Sequence, residues 1–202
     1  MKIALIGVTG RVGSRLAREL RSRGHAVTGI ALHVPTEANV GVPVLQADAT
    51  DPNSLAPRLR GNDAAISASR FMTSDADALV TAVKMAGVKR LLVVGGAGSL
   101  EVAPGRALMD TDGFPEAFKA EAKAGARFLD RLRSEPVLDW TFLSPSADFG
   151  PGERTGNFRL GGDQLLTDAN GKSHISMEDF AIAMVDEVER PAHSRQRFTV
   201  GY

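Results

Sequence analysis

The sequence predicts a doubly wound α/β fold: a parallel sheet with helices on both faces and a small C-terminal hairpin extension. Three observations predict it. Short apolar runs alternate with helix-period segments from the first residues to the last. The clearest runs, Lys2 to Ile6 and Arg90 to Val94, are continuous rather than alternating, as strands buried on both sides require. The first run passes through closely spaced glycines straight into an amphipathic pattern.

After the strand Lys2 to Ile6, Val12, Leu16 and Leu20 fall at i, i+4 and i+8 and give a helix with one apolar stripe, ended by Gly24. Val27 to His33 and Pro43 to Ala47 read as the second and third strands. Asp51-Pro52 opens a helix with proline at its first position. Asp63 to Ser67 is a fourth strand, and Asp75 to Ala86 a helix closed by Gly87. The fifth strand, Arg90 to Val94, leads into an irregular stretch from Gly95 to Pro115. Such a length is unusual in a compact domain and marks a candidate functional loop. An alanine-rich helix follows from Glu116 to about Ser134, then a sixth strand, Leu138 to Leu143, stopped by Ser144-Pro145. Asn157 to Leu160 and Gln164 to Thr167 flank Gly161-Gly162-Asp163 as a hairpin, and Ala169-Asn170-Gly171 is a further turn. Ser176 with Asp179 reads as a capping box opening a helix to about Arg190, before a closing strand, Arg197 to Val200. Trp140 and Phe142 alternate along their strand as core residues.

A length of 202 residues fits one domain, 1–202, with elements near 96–115 and 145–175 on the substrate side. Lys plus Arg and Asp plus Glu are equal at 24 each, so net charge gives no case for nucleic acid or an anionic membrane. The arginines at 11, 15, 18, 21 and 23 read as a solvated helix face. The chain has no cysteine, which removes disulfides, thiolate chemistry and zinc–thiolate sites. Its four histidines lack a metal-type spacing, so no metal site is expected. The N-terminal apolar run is too short for a signal peptide and no segment approaches a membrane span. The expectation is a cytoplasmic protein, monomeric or weakly dimeric, whose partner is a small molecule.

Gly7, Gly10 and Gly13 lie between the first strand and the first helix. A dinucleotide diphosphate needs a tight turn, an approach without a Cβ in the way and the free N–H groups of a helix start. The loop Gly7-Val8-Thr9-Gly10-Arg11-Val12-Gly13 is framed to supply all three, and the fold is therefore expected to be of Rossmann type. Its spacing, with Thr9 ahead of Gly10, resembles that of the extended and atypical short-chain dehydrogenase/reductases.

Further segments resemble the same group: Asp48-Ala49-Thr50-Asp51, Ser67-Ala68-Ser69 and Asp139 to Pro145. Phe149 to Gly156 together with Ile175 to Ala181 are similar to one branch of it. That branch comprises the NmrA-like and biliverdin-reductase-B-like NAD(P)H-binding proteins, including flavin-reductase-like and epimerase-like members. The resemblance implies that Asp48 and Ala49 meet the adenine, that Ser67, Ala68 and Ser69 lie beside the ribose, and that Gly95 and Pro145 border the nicotinamide. An NAD site usually has an acid about 20 residues past the loop. Here Ala31-Leu32-His33 stands there instead, Glu37 comes later, and the Arg common in relatives near 32 or 33 is absent. Arg11 and His33 are left to face a 2′-phosphate, and NADP is the preferred cofactor, with NAD the alternative.

The same resemblance calls for a proton-donating Tyr with a Lys four residues on. The single tyrosine is Tyr202, and Phe118-Lys119 occupies the corresponding helix, where Lys119 and Lys123 share a face. Gly95 and Gly96 replace the usual Ser after the fifth strand. Ser99 and Lys119 are the remaining catalytic candidates, with Asp110 and Asp112 as residues that could shape an acceptor pocket. A conjugated acceptor such as a flavin or quinone needs no positioned acid, whereas a ketone or alcohol partner does. The sequence therefore favours an NAD(P)H-dependent reductase of such an acceptor. The alternatives are a catalytically silent, NmrA-like redox sensor and, third, a sugar-nucleotide epimerase. The missing Tyr and the short C-terminal part count against the epimerase.

Overall fold

In the computed structural model, which describes residues 1–34 and 40–202, the parallel strands are β1 (Lys2–Ile6), β2 (Ala26–Ala31), β3 (Val44–Gln46), β4 (Ala64–Ser67) and β5 (Arg90–Val94). The long loop carries the short strands β6 (Glu101–Ala103) and β7 (Arg106–Ala107). There follow β8 (Asp139–Ser144), β9 (Asp148–Gly150), β10 (Arg159–Gly161), β11 (His174–Ser176) and β12 (Gln196–Gly201). The helices are α1 (Arg11–Ser22), α2 (Pro52–Leu59), α3 (Ala76–Ala86), α4 (Glu116–Arg133) and α5 (Met177–Glu189). The main sheet runs β10-β12-β8-β5-β4-β1-β2-β3 and is parallel except for β10. Chain order reverses direction at β1, so the crevice beyond the carboxyl ends of β1 and β4 is the topological switch point of a Rossmann sheet.

Alternation along each strand builds two cores. Ile3 and Leu5 of β1 face α1 and α5 and pack with Leu16, Leu20, Phe180 and Met184. Ala4 and Ile6 face the opposite layer, with Leu55 of α2, Val83 of α3 and Phe128 of α4. Trp140 and Phe142 are buried in that second core, as their alternation predicts. Caps fall where the sequence places them: Asp51 accepts from the Asn53 N–H at 2.9 Å, Asp75 from the Ala78 N–H at 3.0 Å, and Gly87 closes α3 at φ +73°.

Four expectations are corrected. β2 ends at Ala31, so Leu32 and His33 lie beyond it and are exposed. The stretch from Gly95 to Pro115 is not wholly irregular, since β6 and β7 form a small antiparallel pair across Gly105. The hairpin between Asn157 to Leu160 and Gln164 to Thr167 does not form. β10 pairs instead with the outer edge of β12, Leu160 opposite Val200. The Asp163 carboxylate is held by Arg197 of β12, with Nε to Oδ1 at 2.6 Å, and this turns the chain toward Glu101, whose N–H donates to the Asp163 carbonyl at 2.9 Å. Finally, the capping box is only half made. The Ser176 hydroxyl accepts from the Asp179 N–H at 3.0 Å, but the Asp179 carboxylate does not return to the Ser176 N–H because other donors have claimed it.

An ion-pair cluster joins α1 to the segment after β9. Glu19 is buried and accepts two hydrogen bonds from Arg154, both 2.9 Å, and one from Arg23 at 2.8 Å. The Arg154 guanidinium, helped by Arg23, holds the Glu19 carboxyl below its ordinary value of 4.5 against the opposing effect of burial. A carboxyl lowered by folding stabilises the protein above its unfolded value, and the contribution is lost as pH falls through the folded value. Arg154→Ala should therefore destabilise the protein at pH 7, and the difference from wild type should shrink as pH falls below about 5 and Glu19 takes up its proton. Urea midpoints that shift equally at pH 7 and at acid pH would contradict this.

Candidate dinucleotide site and acceptor cavity

β1 delivers Gly7 to the switch point at φ +78°, where its N–H donates to the Ile30 carbonyl at 2.8 Å. A Cβ at Gly7 would lie 2.8 Å from the Ala68 carbonyl oxygen, so the loop lies against the end of β4. At Gly13 a Cβ would come within 2.1 Å of the Gly7 oxygen, so α1 is seated directly on the turn. Gly10 is the N-cap, in extended conformation, and no side chain caps the helix, nor is there an acid in its first turn. The first-turn N–H groups have no intrahelical acceptor. Together they form a cradle that a diphosphate fits and a bulkier loop would fill.

The other predicted cofactor residues are all at the carboxyl edge of the sheet. Thr9 and Arg11 are exposed on the loop, and Val12 is half-buried behind it. Ser67 ends β4, buried, with Ala68 and Ser69 half-exposed after it; Gly95 follows β5 and Pro145 follows β8. A Cβ at Gly95 would strike the Phe142 ring at 2.4 Å and the Leu143 carbonyl at 2.7 Å, so that strand end accepts only glycine. Asp48 and Ala49 follow β3. The Asp48 carboxylate accepts from the Thr50 N–H and hydroxyl at 2.8 and 2.7 Å, contacts that hold it below the usual carboxylate range. His33 is exposed beyond β2, and Glu37 lies outside the described residues.

Beside the cradle a cavity of about 620 Å³ opens over the ends of β5 and β8. Phe71, Phe114 and Phe118 give it aromatic walls, and the face of α4 formed by Phe118, Ala122 and Gly125 lines one side. In place of a Tyr and a Lys four residues on, α4 presents Phe118 and Ala122 to the cavity: neither hydroxyl nor amine. Gly98 packs so closely on Ala122 that a Cβ there would lie 2.5 Å from the alanine methyl. Phe71 stacks near Phe128 and Phe142, with ring centroids 5.3 and 5.9 Å apart, and is anchored by Glu121. The two Glu121 oxygens accept the Phe71 and Met72 N–H groups at 2.7 and 3.0 Å.

Ser99 lines the cavity, with Arg197 Nη1 3.4 Å from its hydroxyl. Lys119 is not among the lining residues. It pairs with Glu116 at 2.7 Å, which raises its pKa, and so it acts as a surface lysine of α4. Asp110 and Asp112 do not line the cavity either; Thr111 and Gly113 between them do. Glu121 carries no signal in the sequence, and Asp179 and Arg197 are legible there only as half of a capping box and the start of a strand. Tyr202 serves Asp179 rather than the cavity. Its hydroxyl, raised by burial, donates to Asp179 Oδ2 at 2.8 Å. Among the described residues no group of three or more metal-ligating side chains is present, and no helix is long and apolar enough to cross a membrane.

A Rossmann sheet with a glycine cradle at its switch point and an adjoining cavity defines a nicotinamide-dinucleotide-binding protein. The chain belongs to the NAD(P)H-binding family, whose profile matches residues 7–191. It is similar to a solved structure from Burkholderia pseudomallei named "Putative exported protein", 48% identical with a TM-score of 0.91 and 100% of both chains covered. It is also similar to a "putative epimerase" from Bacteroides thetaiotaomicron, 43% identical with a TM-score of 0.91, covering 100% of this chain and 96% of that one. A third, from Streptococcus pneumoniae, is named "putative NADH-flavin reductase": 37% identical, TM-score 0.87, with 100% and 99% coverage.

Proposed function

We propose that this protein is an NADPH-preferring oxidoreductase that delivers hydride to a conjugated acceptor, a flavin or quinone, held in the cavity over β5 and β8. The observation that carries the reading is the α4 wall: the cavity beside the dinucleotide cradle is aromatic, and Phe118 and Ala122 stand in place of a proton-donor pair. An alkoxide-forming substrate would find neither hydroxyl nor amine at those two positions, whereas a conjugated acceptor delocalises the charge it receives. The NADPH preference is supported by exposed Arg11 on the loop and by Ala31, Leu32 and His33, none acidic, at the end of β2.

When bound, the dinucleotide supplies the hydride: two electrons and one proton pass to the acceptor, a second proton comes from solvent, and the nicotinamide is oxidised by two electrons. The residues of the chain do the positioning. The loop from Gly7 to Gly13 grips the diphosphate. Gly95, by having no Cβ, lets the end of β5 pack on Phe142 and Leu143 beneath the cavity, and Phe71, fixed by Glu121, and Phe118 hold the acceptor ring.

Ala126→Phe, which adds a ring to the cavity wall, is expected to lower kcat/KM for riboflavin and menadione at least about tenfold, while NADPH affinity stays within about threefold. Steady-state assays and calorimetry check it. Wild-type protein that oxidises neither NADPH nor NADH above background with these acceptors would end the reading.

A further inference from the structure

We infer that the acceptor is an uncharged ring system, a quinone or an unphosphorylated flavin, and that acceptors bearing phosphate or sulfonate are turned away. The inference rests on the reductase reading above and narrows its substrate class.

Among the described residues lining the cavity none is Lys, Arg or His, and the ionisable ones are the carboxylates Glu121 and Asp148. Glu121 cannot swing aside, because both its oxygens are engaged by the Phe71 and Met72 N–H groups. Asp148 has Lys172 3.7 Å away, but both side chains are largely exposed, a pairing that water screens strongly. Of the cations beside the cavity, Lys119 pairs with Glu116, and Arg197, buried behind Ser99, with Asp163. An anionic group needs cations or free N–H donors to replace its water. The N-terminus of α4 opens on the cavity mouth but is a poor seat for an anion. Pro115 has no N–H, the Phe118 N–H already donates to the Pro115 carbonyl at 3.0 Å, and Glu116 adds a carboxylate to the first turn. The cavity therefore offers aromatic surface to a flat ring and a negative field to whatever the ring carries.

Riboflavin and FMN share one fluorophore and differ by the phosphate, so fluorescence titration of the NADP⁺-saturated protein reads the charge effect directly. At low salt riboflavin should bind at least about tenfold more tightly than FMN. The gap should narrow as salt rises from about 0.01 M to about 1 M, because the Debye length falls from about 30 Å to about 3 Å. Asp148→Lys should raise the FMN-to-riboflavin affinity ratio at least about fivefold. In turnover, menadione should outpace 1,4-naphthoquinone-2-sulfonate with the same salt dependence. Equal affinities for riboflavin and FMN overturn the inference and leave the reductase reading intact. A gap unmoved by salt and by Asp148→Lys also overturns it, since the exclusion is then steric. Riboflavin binding preferentially without turnover sinks the reductase reading and leaves the charge rule standing; binding of neither flavin overturns both.

Discussion

Gly13→Ala is expected to destabilise the protein although alanine is the better helix former. Propensity alone favours the substitution by about 1 kcal/mol. Against that, the new Cβ would sit 2.1 Å from the Gly7 carbonyl oxygen, a backbone atom that is itself fixed because the Gly7 N–H is bonded to Ile30. Relief requires α1 to lift off the turn, an overpacking cost of about 3 kcal/mol or more. The packing effect wins, with a net loss of about 2 kcal/mol and a Tm lower by roughly 4 to 8 °C. Lifting α1 also withdraws its first-turn N–H groups from the cradle, so NADPH affinity should fall at least about tenfold. Gly162→Ala, where nothing lies within 4 Å of the added methyl, is the control and should stay within about 0.5 kcal/mol. Calorimetry and thermal unfolding of both variants decide it; a Gly13→Ala protein as stable as wild type would show that the seat of α1 is softer than its geometry.

Asp179→Ala is expected to cost more. Asp179 is fully buried, and its carboxylate accepts from the Thr155 N–H at 2.8 Å, the Thr155 hydroxyl at 2.5 Å, the Gly156 N–H at 2.9 Å and the Tyr202 hydroxyl at 2.8 Å. Alanine leaves four donors around an emptied site. Removing one side of such a buried network typically costs about 3 to 5 kcal/mol, here roughly 6 to 20 °C in Tm. The loss should appear first as release of the segment from Gly152 to Gly156, which Asp179, Glu19 and Glu178 together tie to α1 and α5. Limited trypsinolysis should then cut at Arg154 in the variant and not in wild type. Asp179→Asn, keeping one acceptor oxygen, should fall between the two. Unchanged Tm and unchanged cleavage would mean that solvent satisfies these donors.

These two sites differ in how far the sequence exposes them. The glycine loop is legible because everything it needs is local: a continuous apolar strand, three glycines and an amphipathic helix within 20 residues. The same holds for Asp51, Asp75 and Gly87, whose caps act on neighbouring residues. Asp179 is legible only as half of a capping box; its other partners stand 23 and 24 residues away and its carboxylate is chosen by tertiary packing. The pairing of β10 with β12 was hidden for the same reason, since the Arg197–Asp163 contact that turns the chain spans 34 residues. On α4 the helix period was readable but not its rotation. Lys119 and Lys123 share a face, yet the cavity is lined by Phe118, Ala122 and Gly125, with Glu121 beside them, and only the position of Phe71 50 residues earlier fixes which face that is.

Gly10→Val is expected to remove most of the dinucleotide binding, because we propose that backbone amides at the start of α1 hold a diphosphate that a side chain there would fend off. Titration of NADPH and NADH into wild-type protein and into Gly10→Val, with circular dichroism showing both folded, tests it most directly. Micromolar association is expected in the wild type, NADPH ahead of NADH, with at least about a hundredfold loss in Gly10→Val, close to 3 kcal/mol. A wild type that binds neither dinucleotide, or a folded Gly10→Val protein that binds as well as wild type, would contradict it.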